Sequence, residues 1–108
     1  MTLAVPKPVA AYFAAEAEKD ADAISRCFTE GGIVRDEELD YRGREAIRQW
    51  EAAADAKYNY ILAPLGVRAK ENKVTVRARF TGDFRGSPID LDHIFTLSNN
   101  KIASLEIR

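Results

Sequence analysis

The final third of the chain alternates with a period of two, and nothing else in the sequence constrains the fold as tightly. In KVTVRARF, Val74, Val76, Ala78 and Phe80 fall on one face, with Thr75, Arg77 and Arg79 on the other. In PIDLDHIFTL, Ile89, Leu91, His93, Phe95 and Leu97 share a face opposite Asp90, Asp92, Ile94 and Thr96. Strand side chains point to the two faces in turn, so a one-sided apolar pattern dictates a sheet covered on one side. KIASLEIR closes that sheet, and a further strand over about 59–69, bent at Pro64 and Gly66, precedes it. Glu71-Asn72-Lys73, Arg85-Gly86-Ser87-Pro88 and Ser98-Asn99-Asn100 carry turn residues between the strands. The pattern predicts a four-strand antiparallel meander.

The first half supplies the cover. Pro6 and Pro8 suit only a helix's opening turn, and Val9, Tyr12, Phe13 and Ala17 then share one side at helical spacing. Asp20 reads as the N-cap of a second helix, DADAISRCF, with Ile24, Cys27 and Phe28 inward and Gly31-Gly32 as its stop. A short strand, IVRDE, and a loop, DYRG, lead to a third helix, REAIRQWEAAADAKY, whose buried stripe holds Ile47, Trp50, Ala54 and Tyr58. The expected order is α-α-β-α-β-β-β-β, an α+β fold with helices on one face of the sheet. A curved sheet wrapped round a helix makes a cone with an open mouth.

The totals exclude several classes. A chain of 108 residues suits one domain spanning 1–108. A net charge of -1 with no basic run gives nucleic acid no footprint. No apolar stretch approaches the roughly 20 residues of a membrane span, and MTLAVPKPVAAYF lacks the order of a signal peptide. The expectation is a cytoplasmic protein. The lone Cys27 reads as a buried, inert thiol. Neither a metal-ligand spacing, nor a phosphate-cradling glycine loop, nor a nucleophile elbow is present, so no metal and no cofactor is expected.

Three segments in this order, AAYFAAEAEKDADAISRCFTEGGIV, YRGREAIRQW and FTLSNNKIASLEI, resemble the NTF2-like superfamily, and within it the SnoaL-like and ketosteroid-isomerase-like proteins. The similarity runs over nearly the whole chain. It implies a cone-shaped fold with an interior pocket for a small apolar or aromatic molecule, and a homodimer formed through the outer sheet face. Ketosteroid isomerases carry a first-helix tyrosine that donates to the substrate oxygen, and Tyr12 falls on that position. Their proton-moving aspartate follows the first short strand, where this chain has Asp36. Their second oxyanion donor, a neutral carboxylic acid on the penultimate strand, is matched here by Phe95, which cannot donate a hydrogen bond. In related dehydratases and cyclases, histidine and aspartate in the cone share the acid–base work, which makes His93 the third candidate.

The resemblance thus implies a site of Tyr12, Asp36 and His93, with Trp50, Leu91 and Phe95 against the ligand. Plainer roles stay open for each. His93 suits proton transfer near neutral pH, or a core position bonded to a backbone carbonyl or to Tyr12. Asp36 is either a solvated charge in RDEELD or a base at the rim of an apolar cone with a raised pKa. Tyr12 either packs between helix and sheet or meets ligand, and Trp50 floors the cone with its indole N–H as a polar handle. Arg77 and Arg79 suit a dimer interface or a solvated face. The expected function is a cofactor-free isomerase, dehydratase or cyclase working by proton transfer. The alternative is a non-catalytic ligand-binding or dimeric interaction module of the same fold.

Overall fold

The computed structural model of the protein describes residues 4–108, so Met1–Leu3, at the head of the MTLAVPKPVAAYF stretch, lie outside the described residues. Three helices and six strands follow one another as α1 (Lys7–Glu18), α2 (Ala21–Arg26), β1 (Phe28–Asp36), β2 (Leu39–Arg42), α3 (Arg44–Lys57), β3 (Tyr60–Lys70), β4 (Lys73–Gly82), β5 (Ile89–Ser98) and β6 (Lys101–Ile107). The strands form one open sheet in the order β2-β1-β6-β5-β4-β3. β3 to β6 are the antiparallel meander that the alternation demands. β1 adds a pairing the sequence pattern does not announce, lying parallel to β6 with Val34 opposite Leu105 and Asp36 opposite Ile107.

The segment DYRG is not a loop: Asp40, Tyr41 and Arg42 lie in β2, and Gly43 is the N-cap of α3. Leu39 to Arg42 pair antiparallel with Asp36 to Ile33 across a two-residue turn, and both turn residues, Glu37 and Glu38, have positive φ (53° and 66°). Such hairpins normally use Asn-Gly or Asp-Gly, and two glutamates give no turn signal. The second helix is also shorter than expected, ending at Arg26, and Phe28 already begins β1. Gly31-Gly32 therefore lies inside a strand. The register of β1 against β6 shifts between Phe28 and Ile33, and a Cβ on Gly32 would stand 2.9 Å from the Phe28 Cβ, so this bulge requires glycine.

Local chemistry accounts for the other boundaries. Pro6 caps α1 and Pro8 sits in its first turn. Asp20 caps α2 by accepting from the Ala23 N–H at 3.0 Å. Asn99 and Asn100, both left-handed, close the β5–β6 hairpin. Irregularities between Pro64 and Gly66 and between Thr96 and Leu97 bend the sheet round the helices. The core under α1 and α3 includes Val9, Ile24, Phe28, Val34, Ile47 and Phe95, each 0 % exposed. On the outer face, Arg77 and Arg79 reach Asp92 and Asp90 of the neighbouring strand at 3.1 and 2.8 Å. Among the described residues, no helix is long and apolar enough to cross a membrane.

Candidate functional site

One end of the wrap between helices and sheet stays open as a cavity of about 420 Å³. Four parts of the chain build it. Helix α1 contributes Tyr12 and Glu16, stacked one turn apart on one face. Helix α3 contributes Trp50, Glu51 and Ala54. The end of β1 gives Asp36, and the turn after it Glu37. Phe80, Ile89, Leu91 and Ile107 from the sheet, with Phe84 and Arg85 from the β4–β5 connection, Tyr58 from the C-cap of α3 and Tyr60 from the start of β3, complete the wall.

The sequence-predicted residues divide between wall and core. Tyr12, Asp36, Trp50 and Leu91 line the cavity. Asp36 is held by Trp50, whose indole N–H donates to Oδ2 at 3.0 Å. Burial pushes the Asp36 carboxyl above its ordinary range, and the indole hydrogen bond pulls the other way. The Tyr12 hydroxyl donates to Glu16 Oε2 at 3.3 Å. Burial and the neighbouring glutamates hold its pKa well above the usual value.

His93 and Phe95 are not on the wall. The period of two turns both inward, but α1 lies across them there. The His93 ring stacks on Phe80 at 5.7 Å between centroids and packs near Phe95 at 6.3 Å, Phe13 at 5.7 Å and Tyr12 at 6.2 Å. It is 0 % exposed and neither ring nitrogen has a hydrogen-bond partner. Burial lowers its pKa to about 4, so it is neutral at physiological pH.

The strongest electrostatic feature of the cavity is one that sequence reasoning passed over. Glu16, Glu51 and Asp55 place carboxyl oxygens within 4.8 Å of one another, close enough to share a cation or a proton. Tyr60 donates to Glu16 Oε1 at 3.1 Å and leans toward Asp55 Oδ1 at 3.4 Å. Glu51 is 1 % exposed, and no N–H or hydroxyl donor reaches either of its oxygens. What lies against it is carboxyl, an acceptor unless one partner carries a proton. Burial, then the charge of Glu16, push Glu51 up to about 10. Burial also raises Glu16, while hydrogen bonds from its neighbours oppose the shift. Two carboxyls this close in a desolvated wall do not both ionise at neutral pH. The hydroxyl donors on Glu16, with none on Glu51, favour the proton on Glu51.

The family model of the SnoaL-like domain matches residues 9–105. A Sinorhizobium meliloti protein, provisionally named a polyketide cyclase, superposes with a TM-score of 0.93 at 38% identity, over 96% of this chain and 95% of that one. SalBIII, an epoxide hydrolase/cyclase-like enzyme of pyran ring formation in the polyether salinomycin, gives a TM-score of 0.80 at 25% identity over 94% and 86%. A Catenulispora acidiphila protein with a ketosteroid isomerase-like fold, solved with trimethylamine, gives 0.85 at 23% over 97% and 86%. No curated protein matches the chain.

Proposed function

The chain belongs to the SnoaL-like domain family, and from that premise we propose that its cavity binds a small, largely apolar molecule and moves a proton on it, with Asp36 as the base. The observation that carries this reading is the setting of Asp36. It is a partly desolvated carboxylate, fixed by Trp50 on a wall that is otherwise rich in apolar and aromatic side chains such as Phe80, Phe84, Ile89 and Leu91. A carboxylate whose pKa is raised by burial is a stronger base than one in water. The fixed indole N–H orients it, which limits the geometry of proton transfer to one side of the ligand. The reactions that fit are isomerisation, dehydration and cyclisation. The names of the S. meliloti protein and of SalBIII support cyclisation among these. His93, neutral and behind the wall, has a packing role.

A panel of β,γ-unsaturated ketones, tertiary alcohols and epoxy alcohols, screened by NMR for binding and conversion, tests the reading. Asp36→Asn should keep the fold and ligand binding and lose at least about a hundredfold in turnover. Equal turnover in the variant would refute Asp36 as the base. Ligands that bind and are never converted would establish the non-catalytic alternative.

A further inference from the structure

The carboxyl cluster bears on which proton transfers the cavity favours. Glu51 is almost wholly buried, lines the cavity and has no donor of its own. Its neighbour Glu16 has both oxygens engaged by tyrosine hydroxyls, Tyr12 on Oε2 and Tyr60 on Oε1. Those two bonds steady the conjugate base of the pair. The groups that face the pair are therefore Tyr12 from its own side of α1, Tyr60 from β3 and Asp55 from α3. Further along the wall stand Asp36 and Glu37, and among the described residues the lining holds one cation, Arg85.

We propose that Glu51, sharing one proton with Glu16, is the acid of the reaction, delivering that proton to an oxygen that is leaving carbon. The inference rests on the reading of the cavity as an acid–base site, and it narrows the substrate class to alcohols and epoxides that break a C–O bond. The wall's charge gives the reason. A transition state that develops positive charge on carbon is stabilised by the surrounding carboxylates, whereas an enolate is repelled by them. Two carboxyls whose surroundings drive them apart, one neutral and one ionised, also supply an acid and a base in one cavity.

The step balances. As the C–O bond breaks, its electron pair stays on oxygen, which takes the Glu51 proton and departs as water from an alcohol, or remains as a hydroxyl after epoxide opening. Asp36 takes a proton either from the adjacent carbon, whose C–H pair becomes the new double bond, or from an internal hydroxyl whose oxygen closes a ring. Glu51 has lost one proton and Asp36 has gained one, and exchange with water restores both.

Two probes decide it: 4-phenyl-3,4-epoxybutan-1-ol, which needs an acid, and cyclohex-3-en-1-one, which passes through an enolate. The protein should convert the epoxide and leave the ketone nearly untouched. Glu51→Gln, which keeps the side chain's size, should lose at least about a hundredfold in epoxide turnover. In the parent protein activity should fall at alkaline pH as Glu51 loses its proton, and Glu51→Gln should lose that limb of the profile, which a merely structural role would not touch. Circular dichroism and a second variant, Glu51→Asp, which keeps a carboxyl and should retain part of the turnover, check that a loss is not misfolding. Conversion of the ketone but not the epoxide, with Asp36→Asn inactive, overturns the proposal and leaves the proton-transfer reading standing. Undiminished epoxide turnover in Glu51→Gln overturns it outright, as does failure of the parent protein to open the epoxide.

Discussion

His93 and Glu51 occupy opposite solutions to one problem. Each is a titratable group in the interior, 0 % and 1 % exposed, and each has polar atoms with no hydrogen-bond partner. Burial penalises the charged form in both. The imidazole escapes by giving up its proton and the carboxyl by keeping one. What separates them is company. His93 is boxed by the rings of Tyr12, Phe13, Phe80 and Phe95, with nothing to exchange a proton with. Glu51 stands among carboxyls on the wall of the cavity. A perturbed pKa marks a candidate site only where the group also has a proton partner and access.

That contrast can be broken at its strongest point by emptying the aromatic box. Phe95→Ala should cost about 3–5 kcal/mol, the usual range for deleting a buried phenyl ring, measured by denaturant unfolding. Ile89→Ala on the cavity wall, where the residue is 42% exposed, should leave stability nearly unchanged and weaken ligand binding instead. Equal destabilisation by the two would mean that wall and core are one packed unit.

A smaller effect tests the charge states. For Glu51 the folded pKa is raised, so its contribution to stability is present below about 4.5 and is lost as pH rises toward about 10. For His93 the folded pKa is lowered, so its contribution is present above about 6.5 and is lost as pH falls toward about 4. Glu51→Gln should flatten the alkaline decline, whose slope for one group cannot exceed about 1.4 kcal/mol per pH unit. His93→Phe should flatten the acid decline and leave turnover intact, with a change at pH 7 within about 1.5 kcal/mol. Thermal unfolding from pH 4 to pH 9 reads both. A His93→Phe variant that folds but loses turnover would return the histidine to the site.

The smallest expected change concerns the turn beside Asp36. Glu37 and Glu38 both adopt positive φ, a conformation that costs side-chain-bearing residues energy. Replacing them by Asn-Gly should stabilise the protein by roughly 0.5–1 kcal/mol. An unchanged or lowered melting temperature would show that the glutamates relieve the strain in another way.

Much of the fold is legible because it is periodic. The alternation through Val74–Phe80 and Ile89–Leu97 sets the face of every residue in β4 and the inner half of β5, including the inward turn of His93. Strand β2 is not legible, because a glutamate pair carries no hairpin signal and four half-polar residues carry no period. The carboxyl cluster was partly readable. Ile47, Trp50 and Ala54 define a stripe, and position 51 lies four residues after Ile47 on the same face. Its charge argues for solvent, and that argument is wrong here because Glu16, itself one turn beyond Tyr12, meets it from the facing helix. No spacing rule joins Tyr60 to Glu16 across 44 residues of chain. Nor does a strand's period say that Tyr12 and Phe13 will close over His93 and shut it off from the cavity. Direction follows from local pattern, while company follows from the packing of distant elements.

The most direct measurement is a carbon-13 NMR titration of the glutamate side-chain carboxyls, assigned with Glu51→Gln and Glu16→Gln. Glu51 should remain protonated through pH 7 and release its proton only far above the ordinary glutamate value of 4.5, toward about 10. A Glu51 carboxyl that ionises with the exposed glutamates near 4.5 would contradict the account, because the cavity would then hold no resident acid.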